Sequence, residues 1–310
     1  MRFTVTYPLI AHPANPEFLS PDGMRRFCET AEWAGFDGVG FTDHPSPSHR
    51  WLQAGGHDAL DPLVALAYCA GITHRLRLIP NILVLPYRNP FLLAKSVTTL
   101  DIVSGGRFTL AVASGYLRRE FEALGVGFDD RNQRFDEALV LLRRIWTEDD
   151  LHVAGTDFDA RGVTASPRPA TPPPIWVGGN SKVARRRVAR FGDGWSPFPA
   201  PAMLASTAKT APLETEDDFA VMVEELWGFL DDEGRDPEEI DIVFGTSRGG
   251  DPASEDFDAS ERLAGLAALA DLGVTWTGVG VPSDSLSHAL ETLEAIGSSV
   301  IQPLRAGETQ

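Results

Sequence analysis

The chain has 310 residues, 43% of them hydrophobic, and a formal net charge of −17 at pH 7. A chain of this length and apolar content can bury one large core, so we expect a single domain over residues 1–310. The negative charge argues against a basic nucleic-acid-binding surface. No apolar run reaches the roughly 18 residues of a membrane span, and the first residues lack the pattern of a secretory signal. The sequence therefore predicts a cytoplasmic protein.

The alternation of strand-like and helix-like patterns defines the expected fold in the first half of the chain. Apolar positions at helical spacing, with Pro at helix starts and Gly35 or Gly71 after helix ends, predict the helices. Expected strands cover 2–7, 36–42, 75–85 and 107–113, and expected helices cover 21–35, 61–71, 90–104 and 132–146.

The second half continues the alternation after a break. Residues 149–174 contain a proline cluster and predict an irregular excursion, and 200–215 predict a loop over one barrel mouth. Expected strands cover 174–179, 192–198, 240–246 and 274–281, and expected helices cover 181–192, 216–233, 260–272 and 283–296. Eight strands alternating with eight helices predict a TIM (β/α)8 barrel with an excursion between strands four and five. A doubly wound open sheet is the alternative, but no GxGxxG follows strand one and no P-loop appears.

Active sites of such barrels lie at the carboxyl ends of the strands, which directs attention to Asp43 and His44 after strand two. A carboxylate beside an imidazole could tune the pKa or tautomer of His44 for proton transfer. The competing interpretation is a turn aspartate followed by a solvent-exposed histidine.

The turn after strand five, from Gly178 through Gly179 and Asn180 to Ser181, leads directly into a helix. Its glycines permit close backbone approach, and Ser181 can cap a helix whose N-terminus favours an anion. A phosphate site is one interpretation, and an ordinary capped turn is the other.

Two further strand ends could surround a flat ring. Small residues after strand four would let a ring approach the backbone, and branched residues on strand three would form an apolar wall, although both kinds also fill barrel cores. These residues are Ala113, Ser114, Gly115, Asn81, Ile82 and Val84. For His12 after strand one and Trp195 after strand six, the sequence leaves two interpretations open: a side chain that packs in the core, or one that lines the pocket.

The pattern of cysteines and histidines predicts no metal site. Cys28 and Cys69 are the only cysteines, which excludes a disulfide framework and predicts two small core residues. His44, His49 and His57 share one loop region, but their spacing matches no zinc pattern. Apart from the possible role of His44, we interpret these histidines as solvated loop residues.

Several blocks resemble the luciferase-like flavin and deazaflavin oxidoreductases, in the order of that family. They are GFDGVGFTDH, LRLIPNILVLPYRNPFLLAKSVTTLDIVSGGRFTLAVASGYLRREFEALG, RFDEALVLLRRIW, PPPIWVGGNS and ARRRVARFGDGW. The resemblance implies a TIM-like barrel that binds coenzyme F420 or FMN at the strand ends. It places a non-proline cis peptide at Asn81-Ile82 behind the ring. The phosphate site falls on Gly178, Gly179, Asn180 and Ser181.

The dipeptide Asp43-His44 resembles the F420-dependent branch, whereas FMN monooxygenases more often carry a glutamate before the histidine. The resemblance implies that His44 acts in proton transfer, that Asp43 lies close to the coenzyme, and that the partners are a small-molecule substrate, a second copy of the chain and a separate coenzyme reductase. Sugar-phosphate dehydrogenases of this branch carry an acidic residue directly after strand four. This chain has Ser114-Gly115-Tyr116 there, which puts glucose-6-phosphate chemistry in doubt. An FMN-dependent monooxygenase and a non-catalytic flavin-binding barrel are the alternatives.

Overall fold

A computed structural model describes residues 1–308 of the chain. Strands in this range are short and mostly buried. They are β1 Arg2–Thr6, β2 Gly38–Phe41, β3 Arg77–Pro80, β4 Leu83–Val84, β5 Leu110–Ala113, β6 Leu151–Gly155, β7 Phe158–Val163, β8 Ile175–Gly178, β9 Gly194–Ser196, β10 Asp241–Ile242 and β11 Trp276–Val279.

Helices separate the strands along the chain. They are α1 Pro21–Ala34, α2 His49–Gln53, α3 Pro62–Ile72, α4 Pro90–Ser104, α5 Arg118–Ala123, α6 Arg131–Thr147, α7 Lys182–Phe191, α8 Ala202–Ala208, α9 Glu216–Asp232, α10 Ala259–Asp271, α11 Leu286–Ile296 and α12 Gln302–Glu308. Short 3-10 turns cover Pro16–Leu19, Leu85–Tyr87 and Pro237–Glu239, and a π turn covers Gly297–Ile301.

The parallel strands follow one another in a cyclic order. One sheet has the order β11-β1-β2-β3 and the other has the order β10-β9-β8-β5-β4. Parallel bridges from Leu78 to Phe108 and from Val243 to Trp276 join the two sheets at both edges. Parallel strands with helical crossovers, linked in this order, form the expected TIM-barrel architecture. The carboxyl ends of the strands therefore meet at one face.

Local signals in the sequence explain where the helices begin and end. The Asn89 side chain accepts hydrogen bonds from the amides of Phe91 and Leu92, Pro90 occupies the first turn of α4, and Gly105 ends the helix with φ +69°. Glycine is favoured there because a side chain strains this left-handed conformation. The predicted boundaries of this helix, 90–104, are confirmed.

Several boundaries differ from the expectations. Strand three is not continuous, because the peptide bond between Asn81 and Ile82 is cis and separates β3 from β4. Gly71 lies inside α3 rather than after it. Residues 149–174 contain the antiparallel hairpin β6-β7, and residues 200–215 contain α8 rather than loop alone.

Two tryptophans dominate the core inside the barrel. The rings of Trp176 and Trp276 meet edge to face with centroids 5.3 Å apart, and they pack with Ile79 and Ala111. Ile82 lies on this cluster, so the core supports the broken third strand. Cys28 and Cys69 are buried, as predicted. Among residues 1–308, no helix combines the length and apolarity that crossing a membrane requires.

Candidate active site

A cavity of about 680 Å³ opens at the carboxyl ends of β2, β3, β5, β8 and β9. Its volume falls within the range of small-molecule and cofactor sites. Most of the sequence-predicted site residues line it. The lining includes Thr42, Asp43, His44, Asn81, Ile82, Val84, Ala113, Ser114, Gly115, Tyr116, Arg131, Asn132, Phe135, Asp136, Gly178, Gly179, Ser181, Arg187, Ser196, Phe198, Lys209 and Thr210.

The break in strand three forms one wall of this cavity. The cis peptide at Asn81-Ile82 confirms the expected geometry. Asn81 Nδ2 donates to Thr6 Oγ1 at 2.6 Å, which ties the break to β1. Ile82 reaches across to β8, where a Cβ on Gly178 would lie 2.4 Å from its Cδ1. Glycine at 178 therefore keeps the two strand ends in contact across the cavity floor.

The strand end after β5 depends on a glycine as well. Gly115 has φ +76°, and a Cβ there would lie 2.6 Å from Val84 Cγ1 and 3.0 Å from the Phe121 ring. Only glycine fits this left-handed turn without displacing its neighbours. The turn brings Tyr116 onto the cavity wall and starts α5 close to the site.

The carboxylate of Asp43 is fully engaged. It accepts from Arg88 Nη1 at 2.6 Å and Nη2 at 2.9 Å, and from the Val84 amide at 2.8 Å. Although burial acts to lower the pKa of Arg88, the hydrogen bonds and charges of Asp43 and, to a smaller extent, Asp61 outweigh burial and raise it. Asp43 therefore anchors β4, and the structure shows no hydrogen bond from it to His44.

A different carboxylate contacts His44. Glu120 Oε2 lies 3.2 Å from His44 Nδ1 and accepts from the Tyr87 hydroxyl at 2.9 Å. Glu120 Oε1 accepts from the Ser46 amide at 3.2 Å. Burial, together with the charge and hydrogen bond of Glu120, raises the pKa of Tyr87 above its usual range. The prediction that Asp43 is the partner of His44 is thus wrong, because both carboxylate oxygens of Asp43 accept hydrogen bonds from Arg88.

Aromatic rings surround the imidazole of His44. Its centroid lies 4.6 Å from Trp51, 5.0 Å from His57 and 6.1 Å from Tyr116. Burial lowers the pKa of His57, and burial with the charge of Glu120 raises the pKa of Tyr116 to about 12. His57 is therefore part of the site's aromatic surroundings, not the solvated loop residue predicted. His49 is exposed.

The turn after β8 combines cavity-facing and buried groups. Gly179 has φ +103°, and Ser181 caps α7 by accepting from the Ala184 amide at 3.2 Å. Asn180 instead points into the loop that follows β9. Its Nδ2 donates to the carbonyls of Phe198 and Ala211, and its Oδ1 accepts from the Phe198 amide. Gly178, Gly179 and Ser181 line the cavity, whereas the side chain of Asn180 holds the loop.

Positive charge collects at the end of the cavity beside this turn. Arg131, Arg187 and Lys209 all line it. Arg187 is balanced by Asp136, to which its Nε donates at 2.6 Å. Arg131 lies over the Phe128 ring, and within residues 1–308 its buried Nε has no hydrogen-bond partner. This end suits an anionic group.

Two residues left open by the sequence lie outside the cavity. Trp195 is buried, donates from Nε1 to the Gly179 carbonyl at 3.0 Å and stacks on Phe219, so it is a packing group. His12 Nδ1 lies 2.7 Å from Asp58 Oδ1 and ties together two loops.

Sequence reasoning missed Tyr87, Arg88 and Glu120. All three lie in blocks that carry the family resemblance, YRNP and YLRREFEALG. The pattern gives no signal for Glu120, because α5 reads RREFEA and Glu120 is one of four charged residues among its six.

Comparison with known proteins agrees with this architecture. The family model for luciferase-like monooxygenases matches residues 1–248. A relative from Beutenbergia cavernae, named an F420-dependent glucose-6-phosphate dehydrogenase, is 34% identical over 190 residues, which cover 60% of this chain and 55% of that protein. The match thus spans about half the length of this curated relative.

Solved structures share the fold across almost the whole chain. The monooxygenase RslO1 from Streptomyces bottropensis has a TM-score of 0.80 at 20% identity, covering 98% of this chain and 100% of that one. The coenzyme F420 dependent tetrahydromethanopterin reductase from Methanopyrus kandleri has a TM-score of 0.72 at 16% identity, covering 97% and 99%. Because the family model covers most of the chain, this protein belongs to the luciferase-like monooxygenase family.

Proposed function

We propose that this protein is an F420-dependent oxidoreductase that transfers hydride between the coenzyme and a small organic substrate. The observation that carries the proposal is the cavity in which His44, the Asn81-Ile82 break and the Gly178-Gly179 turn share one lining. The name of the Beutenbergia cavernae relative supports F420 as the coenzyme. The Asp43-His44 dipeptide, typical of the F420-dependent branch, supports it further.

The residues present fit a flat ring with an anionic tail. Small residues at Ala113, Ser114 and Gly115 leave the ring room beside the backbone, and Ile82 offers an apolar surface behind it. The tail would lie along Gly179 and Ser181, near the cationic end of the cavity. When bound, F420 supplies hydride transfer, whereas reduced FMN would supply oxygen activation.

The protein's own share of the chemistry is proton handling and positioning. His44 lines the cavity and is the group we assign to proton transfer with the substrate. Asp43 does not fit that role, since Arg88 and the Val84 amide hold both of its oxygens. We assign Asp43 to holding the wall on which the ring would rest.

The substrate we propose is less anionic than a sugar phosphate. The wall around His44 is built from the rings of Trp51, His57 and Tyr116. The resemblance implies an acidic residue directly after strand four in sugar-phosphate dehydrogenases of this branch, and this chain has Ser114-Gly115-Tyr116 there instead. An uncharged, partly apolar substrate suits these rings.

A charge variant at the tail end tests coenzyme choice. Replacing Lys209 by Ala is expected to weaken F420 binding about tenfold, because a tail with several carboxylates loses a cationic partner. FMN, which carries one phosphate and no such carboxylates, should be affected less. The dissociation constants come from fluorescence titration at fixed ionic strength.

The matched control for Lys209→Ala is Lys182→Ala. Lys182 begins α7 nearby but pairs with Glu225 at 2.7 Å and does not line the cavity. Equal losses of F420 affinity in both variants would mean that F420 responds to the overall positive charge of this region and not to Lys209 itself. That result would contradict a site for the coenzyme tail at Lys209.

We also propose a homodimer in the cytoplasm, with a separate enzyme recycling the coenzyme. Trp33, Val64 and Leu92 expose large apolar side chains on α1, α3 and α4, as association surfaces do. The free, buried Cys28 and Cys69 support a reducing compartment. Leu92→Glu should halve the particle mass measured by light scattering, and an unchanged mass would contradict this interface.

A further inference from the structure

Glu120 is a buried carboxyl group, and among residues 1–308 the structure pairs it with no lysine or arginine. Its side chain is 1% exposed. Its side-chain oxygens contact the His44 loop and the 3-10 turn after β4: Oε1 accepts from the Ser46 amide, and Oε2 accepts from the Tyr87 hydroxyl and faces His44 Nδ1. A buried carboxyl with this many partners is held in one orientation.

The donors around Glu120 decide where the hydrogen of His44 lies. The Ser46 amide can only donate, and the raised pKa of Tyr87 keeps its hydroxyl protonated. Both oxygens of Glu120 therefore accept a hydrogen bond from a neighbouring donor, Oε1 from the Ser46 amide and Oε2 from the Tyr87 hydroxyl. The Nδ1 atom of His44 faces Oε2, one of these accepting oxygens, at 3.2 Å, and two acceptors at that distance would repel, which favours a hydrogen on Nδ1.

We infer that Glu120 is a positioning residue: it fixes His44 as the Nδ1–H tautomer and leaves the Nε2 lone pair for the cavity. This inference rests on the proposed function only for the role of Nε2 in proton transfer. The tautomer itself follows from contacts within the chain.

Neither Asp43 nor His57 accepts a hydrogen bond from the His44 imidazole in place of Glu120. Asp43 is adjacent in sequence, but its oxygens are held by Arg88 and Val84. His57 meets the His44 ring edge to face at 5.0 Å, and its own Nδ1 contacts the Asp58 carbonyl. Glu120 is thus the carboxylate that orients the imidazole, in the way a buried aspartate orients histidine in hydrolase triads.

Replacing Glu120 by Gln reverses the hydrogen bonding while keeping the shape. The Ser46 amide needs an acceptor, so the Gln oxygen should turn toward it and the NH2 group toward Tyr87 and His44. The Tyr87 hydroxyl can rotate to accept. His44 can accept only by moving its hydrogen to Nε2, which removes the lone pair from the cavity.

The first test is the tautomer of His44 in the coenzyme-free protein, read from its ring ¹⁵N chemical shifts. The His44 signals are assigned by comparison with His44→Asn. We expect Nδ1–H in the wild type and in Tyr87→Phe, which keeps Glu120 and removes one donor, and Nε2–H in Glu120→Gln. Nε2–H in the wild type would overturn the inference, even if Glu120→Gln failed to fold. An unchanged tautomer in folded Glu120→Gln would overturn it too.

The second test is steady-state kinetics of the holoenzyme. Glu120→Gln should lower kcat by about 100-fold while the substrate KM and the coenzyme Kd change little, because a base in the wrong tautomer affects the transition state and not binding. Tyr87→Phe should retain most of kcat. If the protein bound neither F420 nor FMN, the proposed function would fail, whereas the tautomer result would stand. A kcat loss equal in both variants would contradict the specific role of Glu120.

Discussion

His44→Ala is expected to lose about 10²–10⁴-fold in kcat, the contribution typical of a proton-transfer group. The coenzyme Kd should stay within about threefold of the wild type, because the ring would rest on Ile82 and the tail on the 178–181 turn rather than on the imidazole. Two quantities are measured for the variant and the wild type: kcat with a substrate that the enzyme converts, and the coenzyme Kd by fluorescence titration.

His49→Ala is the matched control for this prediction. His49 lies in the same loop region but is exposed at the start of α2. It should keep wild-type kcat. A His44→Ala variant with full activity would remove His44 from the mechanism. Parallel losses of kcat and coenzyme affinity would mean that His44 holds the ring rather than moving a proton.

Asp43→Ala is expected to lower the free energy of unfolding by about 3–5 kcal/mol, the cost of breaking a buried ion pair. The side chain of Asp43 is 2% exposed and that of Arg88 is 19% exposed. Removing the carboxylate leaves the half-buried Arg88 guanidinium with Asp61, 3.6 Å away and half exposed, in place of its bidentate partner, and leaves the Val84 amide without this acceptor. Urea unfolding followed by far-UV circular dichroism gives the free energy.

Two controls separate this effect from general sensitivity to charge. Asp22→Ala breaks an exposed pair with Arg25 and should cost no more than about 1 kcal/mol. The double variant Asp43→Ala/Arg88→Met removes both charges and should recover part of the lost stability. Equal stability of Asp43→Ala and the wild type would show that the pair does not anchor the wall at β4.

Helix boundaries were predictable where single residues decide them. The start of α4 is predicted by Asn89 and Pro90, and its end by Gly105. In the same way Gly35, with φ +97°, marks the end of α1. The excursion at 149–174 was predicted only as irregular. In β7, apolar and polar residues alternate only from Phe158 to Arg161, and the strand faces solvent along most of its length, so the pattern did not predict its pairing with β6.

The cavity wall was also largely predictable, since its residues follow the strands in sequence. Asp43, His44, Ile82, Gly115 and Gly178 line one cavity because parallel strands end at one face. The direction in which each of these side chains points could not be predicted from the sequence. Asn180 sits within the expected phosphate turn, yet its amide is used by the backbone of the following loop.

The partner of His44 was the main error, and its cause is three-dimensional. Glu120 is distant in sequence from His44, and the contact between them forms through α5, the helix that begins after the left-handed turn at Gly115. The chain lacks an acid directly after strand four, but this helix brings a carboxylate to the histidine. Sequence adjacency favoured Asp43, whereas the arginine that neutralises Asp43 comes from the turn after β4.

The most direct test of the central claim is a fluorescence titration of the purified protein with F420 and, separately, with FMN at fixed ionic strength. Micromolar or tighter binding of F420 with much weaker binding of FMN is the result the proposed function predicts. Tight binding of FMN with weak binding of F420 would contradict it and assign the cavity to oxygen-using flavin chemistry.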